Sequence, residues 1–299
     1  MTQAISTEPI TTEPANRRST LNHHRANVCS QFGEDGLIGF ALDTLQDAGI
    51  ALTNWSVEFG AWDAVRFSNT RALIDHRGFT GVYIEADADR HRELIKRNAG
   101  NDRIIPIRAM VGFTPQDSLD TILAGTDCPE RFDVCSIDID GNDYHVWRAV
   151  ERYRPRLVII EFNPTIPNTI EFVQKADPRI AQGASLAAIT GLANDKGYEL
   201  IATTSINALY VERESAPLFN LPDNSLDALH ADASMLTYLF HGYDGTVFVG
   251  GHAQLIWHKL PITASRCQQL PTPLRSYPRQ YGPVRRAIWT TLKKIRHAS

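Results

Sequence analysis

Two short apolar runs, Val134-Cys135-Ser136-Ile137 and Leu157-Val158-Ile159-Ile160, each break off at carboxylates, Asp138-Ile139-Asp140 in one case and Glu161 in the other. Runs this short and continuous suit strands of a parallel sheet that is covered on both faces. From residue 31 the hydrophobic period switches repeatedly between helix-like and strand-like, the pattern of α/β architecture. An opening helix is expected over 33–48, with Leu37, Ile38, Ala41, Leu42 and Leu45 on one stripe. Strands are expected at Trp55–Phe59, Val82–Glu85 and Ile104–Val111, and helices over 68–76, 89–98, 142–153 and 185–196. Tyr198–Ala202 and Ala208–Val211 add an antiparallel pair at one edge, for about seven strands in all.

Four segments at strand ends could carry chemistry. The first is Val57-Glu58-Phe59-Gly60-Ala61-Trp62-Asp63, where a strand ends in small residues and turns toward a helix. In an open α/β sheet a ligand lies outside the carboxyl ends of the strands, where small residues let the backbone approach it. The second is Ile84-Glu85-Ala86-Asp87, with Glu85 placed 25 residues beyond Gly60. An acid at about 20 residues' distance grips the ribose hydroxyls of an adenine cofactor. The pair does not separate S-adenosylmethionine (SAM) from a nicotinamide dinucleotide, although the turn lacks the three-glycine pattern of the latter. The third is Asp138 to Asp143, whose clustered acids need a cation or a proton to offset their repulsion. The fourth is Glu161-Phe162-Asn163-Pro164, which offers two more oxygen donors suited to Mg²⁺.

Read in order, these segments resemble the FkbM-type branch of class I SAM-dependent methyltransferases. The matching stretches are Ser30 to Gly36, Val57 to Asp63 with Ser68-Asn69-Thr70, Ile84 to Asp87, Leu119 to Leu123, Phe132 to Asp143 and Ile160 to Pro164, so the likeness covers about residues 28–212. The resemblance implies a Rossmann-like, seven-stranded, mostly parallel sheet with one antiparallel edge strand, SAM as donor, and methylation of a hydroxyl, often on a sugar or natural product. Strand ends four and five are also similar to those of divalent-metal O-methyltransferases, which implies Asp138, Glu161 and Asn163 as ligands for Mg²⁺. One departure from the family is Ala64, which follows Asp63 where relatives tend to carry glycine.

On this reading Glu58, Gly60, Ala61, Asp63, Asn69, Glu85 and Ala86 hold the cofactor, and Asp138 and Asp140 serve the acceptor side. His145 is the candidate base, with a structural role as its alternative. Gln182-Gly183-Ala184-Ser185 is expected to line the acceptor side, with Ser185 as an ordinary helix cap in the plainer reading. Two other functions stay open. Asp138-x-Asp140 matches the acid pair with which many glycosyltransferases hold a metal and a nucleotide sugar, and a non-catalytic binding protein of the same fold would keep the cofactor without turnover.

Charge divides the chain. Residues 261–299 hold eight Lys and Arg and no acid, which leaves the remaining 260 residues at about −12 and argues against nucleic acid as a partner. The expected organisation is a disordered arm over 1–27, the methyltransferase core over 28–212, an appendage or cap over 213–270 and a basic tail over 271–299. Pro283 to His297 can form an amphipathic helix with Val284, Ile288, Leu292 and Ile295 on one side, which suits peripheral contact with anionic lipid. Four scattered cysteines and the lack of a long apolar run point to a cytoplasmic protein, peripheral on the membrane through that helix.

Overall fold

The computed structural model describes residues 20–297, so most of the arm expected over 1–27 lies outside the described residues. Its last part does not behave as an arm: Leu21–His24 forms a 3₁₀ turn, and Leu21 is buried in the same apolar cluster as Leu37 and Leu42. The first compact unit runs from there to Ala231 and the second from Asp232 onward.

The first unit alternates as its periodicity requires. Helix α1 (Glu34–Asp47) leads to β1 (Trp55–Phe59), α2 (Arg71–Arg77), β2 (Thr80–Glu85), α3 (Ala88–Arg97) and β3 (Ile104–Arg108). There follow α4 (Leu119–Leu123), β4 (Val134–Ile137), α5 (Asp143–Ala149), β5 (Leu157–Glu161), α6 (Leu186–Asp195), β6 (Tyr198–Thr203) and β7 (Asn207–Glu212), and then α7 (Leu226–Leu229). The seven strands form one sheet in the order β3-β2-β1-β4-β5-β7-β6. All neighbours run parallel except β7, which is antiparallel to both β5 and β6 and so makes the expected antiparallel pair at that edge.

Side chains alternate across the sheet, so each strand feeds two cores. Val57, Phe59, Ile84, Ile137 and Ile160 pack under Leu119, Val146, Trp147 and Ile189 of α4 to α6. Tyr83, Val134, Leu157, Ile159 and Leu209 pack on the other side against Leu37, Leu42, Leu73 and Leu94 of α1 to α3. The result is a three-layer, Rossmann-like α/β fold.

One helix is shorter than its periodicity suggests. Residues 142–153 yield only Asp143–Ala149, because the Asp120 carboxylate accepts the backbone N–H groups of Glu151, Arg152 and Tyr153 and draws them out of the helical ladder. The appendage expected over 213–270 divides. Residues 213–231 belong to the sheet unit, where Phe219 and Leu229 are buried, and the rest belongs to the second unit.

The second unit contains two hairpins, β8 (Thr237–His241) with β9 (Val247–Gly251) and β10 (Gln254–Leu255) with β11 (Leu260–Pro261), and ends in α8 (Pro283–His297). No helix among the described residues is long and apolar enough to cross a membrane.

Candidate cofactor and acceptor site

Strand register sets the site. Phe59 stands level with Ile84 on one side and Ile137 on the other, and Ile137 stands level with Ile160. The next residue on each strand therefore brings Gly60, Glu85, Asp138 and Glu161 to one level at the carboxyl ends. Strand order reverses between β1 and β4, which is where an open sheet of this type leaves its crevice.

On the β1–β2 side, Glu85 is buried and turned toward the Gly60 turn. One carboxylate oxygen accepts the N–H of Trp62 at 2.9 Å and the other accepts the N–H of Asp87 at 2.8 Å. A carboxylate has about four lone-pair sites, so both oxygens keep capacity for ribose hydroxyls. Ala61 donates its N–H to the Ile84 carbonyl at 3.3 Å, and Ala86 is exposed beside Glu85. Gly60, Ala61, Glu85 and Ala86 thus come together as one mouth. Trp62, whose residue type alone gives no sign of a site role, borders it with Arg66 and Arg90 set over its ring.

The other three expected cofactor residues spend their side chains on the loop itself. Glu58 accepts hydrogen bonds from the Ser68 hydroxyl and from both the N–H and the hydroxyl of Thr70, and burial pushes its pKa up to about 7. Asp63 is fully buried, takes the N–H groups of Val65 and Arg66, and lies 3.2 Å from Arg97 Nε. Asn69 donates to the Ser136 hydroxyl at 3.1 Å. These contacts shape the β1–α2 loop, and Asp63 Oδ2 has no hydrogen bond beside its ion pair with Arg97. The same loop holds Trp62, Ala64 and Phe67 at φ +43°, +56° and +60°, conformations that cost an L residue about 1–2 kcal/mol each. Ala64, the departure from the family, therefore stands where glycine would sit without strain.

On the β4–β5 side, Asp138, Asp140 and Glu161 bring one carboxylate oxygen each within 4.8 Å of one another. Burial, and then the neighbouring carboxylates, push the pKa values of Asp138 and Glu161 well above the usual carboxylate range. Asp143 lies just behind, accepting the N–H groups of Ile139 and Gly141, and burial raises it to about 6. Such a group needs a cation or protons to stay together.

Two expected members are not in it. Asn163 turns its amide to the Gln182 carbonyl and to Thr165, so it fastens the loop after β5, and Asp140 takes its place beside Asp138 and Glu161. His145 is buried among Phe113 and Tyr144 with Nε2 on the Gln174 carbonyl at 2.7 Å and Nδ1 without a hydrogen-bond partner, a packed position on α5 outside the acid cluster that fits its structural alternative.

The segment between β5 and α6 folds over the acids. Gln174 is buried, accepts the N–H groups of Gln182 and Gly183, and donates to the Ile180 carbonyl. Asn142 donates to the carbonyls of Asp177 and Ile180, and a β-carbon on Gly141 would come within 2.9 Å of Ala181 Cα. Ser185 is the ordinary cap of α6, its hydroxyl accepting from Ala188. Nothing in the sequence marks Gln174. The stretch Ser30 to Gly36 ties the chain ahead of α1 to the sheet: Glu34 accepts from Asn207 at the start of β7, and Asp35 gathers the N–H groups of Val28, Cys29 and Ser30.

No family model matches the chain, and no curated protein matches it. Among solved structures it is similar to a proposed sarcosine dimethylglycine methyltransferase from Galdieria sulphuraria, at 13% identity and a TM-score of 0.36 over 55% of this chain and 62% of that one, less than two thirds of its length. It is also similar to a SAM-dependent methyltransferase from Aquifex aeolicus, at 9% identity and a TM-score of 0.36 over 57% of this chain and 89% of that one. A third is the human methyltransferase 10 domain containing protein, at 13% identity and a TM-score of 0.38 over 60% and 81% of the two chains.

Proposed function

We propose that this chain is a SAM-dependent methyltransferase that acts on a hydroxyl of a sugar or other small-molecule acceptor. The observation that carries the reading is the placement of Glu85: a buried carboxylate on the Gly60 turn, level with unpaired acids two strands away. Gly60, Ala61 and Ala86 put only small residues beside Glu85, and Glu85 receives the ribose hydroxyls of the adenosyl group.

When bound, SAM supplies an electrophilic methyl group on a sulfonium, which leaves as a thioether once the acceptor oxygen takes the methyl. The protein's part is to align the acceptor oxygen and to take its proton. Asp138 and Glu161 are placed for this, because burial among like charges raises their basicity. A divalent cation such as Mg²⁺ fits the same acids: Asp138, Asp140 and Glu161 would hold it, and it would lower the pKa of an acceptor hydroxyl. The loop 174–183 borders the acceptor side through its contacts with Gly141 and Asn142, while Asp140 stays open to solvent.

Calorimetric titration separates the readings. Heat of binding for SAM and S-adenosylhomocysteine, and none for a UDP-sugar with Mn²⁺, supports the proposal. Binding of the UDP-sugar alone transfers the acids to a glycosyltransferase site and contradicts it.

A further inference from the structure

Soluble hairpins place polar residues at their turns. Each hairpin of the second unit nevertheless carries a large aromatic residue at its turn. Tyr243 is 93% exposed at the turn between β8 and β9, and Trp257 is 59% exposed at the turn between β10 and β11. Tyr238, Leu239 and Phe240 on β8 and Leu255 and Leu260 beside Trp257 are exposed as well. Tyr238 and Phe240 share one face of β8 and Leu239 the other, so the ribbon exposes apolar side chains on both faces, and large exposed apolar residues grouped in one small unit mark an interaction site.

Helix α8 adds an independent observation. Val284, Ile288, Leu292 and Ile295 recur at helical spacing on one side, with Val284 73% exposed. Arg285, Arg286, Lys293, Lys294 and Arg296 are exposed around the rest, and Lys293 lies over the Trp289 ring. The helix belongs to the same body as the first hairpin. Arg296 donates to Gln269, whose neighbour Gln268 accepts the N–H of Val247 and donates to its carbonyl. Residues 232–299 carry nine Lys and Arg against only Asp232 and Asp244.

We propose that the second unit is a docking module for an anionic lipid surface, with Tyr243 and Trp257 as anchors at the hairpin tips and the basic residues of α8 as the electrostatic partner. Charge complementarity selects an anionic occupant, and aromatic rings with a polar edge settle at the headgroup level of a bilayer. An amphipathic, acid-free helix lies in that same layer. The inference does not depend on the methyltransferase reading.

The test is sedimentation of the full chain with vesicles of phosphatidylcholine alone and of phosphatidylcholine mixed with phosphatidylserine. Pelleting with the mixed vesicles only, weakening as salt rises, is expected. Reversing two charges with Lys293→Glu and Lys294→Glu should weaken binding about tenfold or more, and Tyr243→Ser with Trp257→Ser should weaken it by a similar factor. Trp257→Phe should keep binding but lose part of the blue shift in tryptophan emission. Failure to pellet with either vesicle, or variants that pellet like the native chain, overturns the proposal. So does salt-sensitive self-association without vesicles, which would assign the basic face to the acidic body of a second copy.

Discussion

A β-carbon on Gly60 would stand 1.7 Å from the carbonyl oxygen of Asp138, so the end of β1 rests directly on the backbone of β4. This contact joins the two halves of the site. It brings the turn that faces Glu85 against the strand that carries the acids, and it needs glycine for sterics as well as for a φ of +76°.

Gly60→Ala should therefore destabilise the fold by about 2–4 kcal/mol, from left-handed strain and forced separation of the two strand ends. Denaturant unfolding measures it, and a change within experimental error would show that β1 and β4 do not touch there.

Ala64→Gly is expected to cost far less. Relief of about 1–2 kcal/mol of left-handed strain is offset by about 0.5–1 kcal/mol of glycine's extra unfolded-state entropy and about 0.8 kcal/mol for the fully buried methyl. The net effect is within about 1 kcal/mol of zero, read as a nearly unchanged denaturation midpoint; a fall of about 1.5–2 kcal/mol, the entropy and methyl losses alone, would mean that φ +56° is not strained at this position.

Glu58 sets a pH dependence. Its folded pKa, raised to about 7 by burial, exceeds the ordinary 4.5, so the folded state binds its proton more tightly than the unfolded state. Stability from this group is complete below 4.5 and is lost as pH rises to about 7, a change on the order of 3 kcal/mol. Unfolding free energies measured across that window should fall with pH, and Glu58→Gln should flatten the slope. An equal slope in the variant would place the titration elsewhere.

The acid set makes a further distinction. Asp140→Asn should weaken binding of Mg²⁺ or Mn²⁺ at least about tenfold, because each carboxylate ligand contributes charge. Asn163→Ala should leave cation affinity within about twofold and cost about 1 kcal/mol through loss of its hydrogen bond to Gln182. The reverse pattern would restore Asn163 as a ligand.

Sequence periodicity made the sheet legible because its strands are covered on both faces and its helices keep one apolar stripe. Glu85 and the ends of β4 and β5 were legible for a related reason: an acid directly after an apolar strand has its height in the fold fixed by the strand. Loop acids are different. Glu58, Asp63 and Asn69 carry the same residue types as ligands would, and only folding shows the partners they take within the protein: Thr70 for Glu58, Arg97 for Asp63 and Ser136 for the Asn69 amide nitrogen. His145 likewise reads as a base from sequence, and only folding brings the Gln174 carbonyl, from another loop, onto its Nε2. The early end of α5 depends on Asp120, whose influence no local pattern contains.

The most direct measurement compares S-adenosylhomocysteine with an analogue lacking both ribose hydroxyls, titrated into the native chain and into Glu85→Ala. The native protein should prefer the natural ligand by about tenfold or more, as a charge-assisted hydrogen bond supplies about 1.5–3 kcal/mol, and Glu85→Ala should lose that preference. Equal preference in both proteins, or no binding of either compound to the native chain, would contradict the assignment of Glu85 as the ribose ligand.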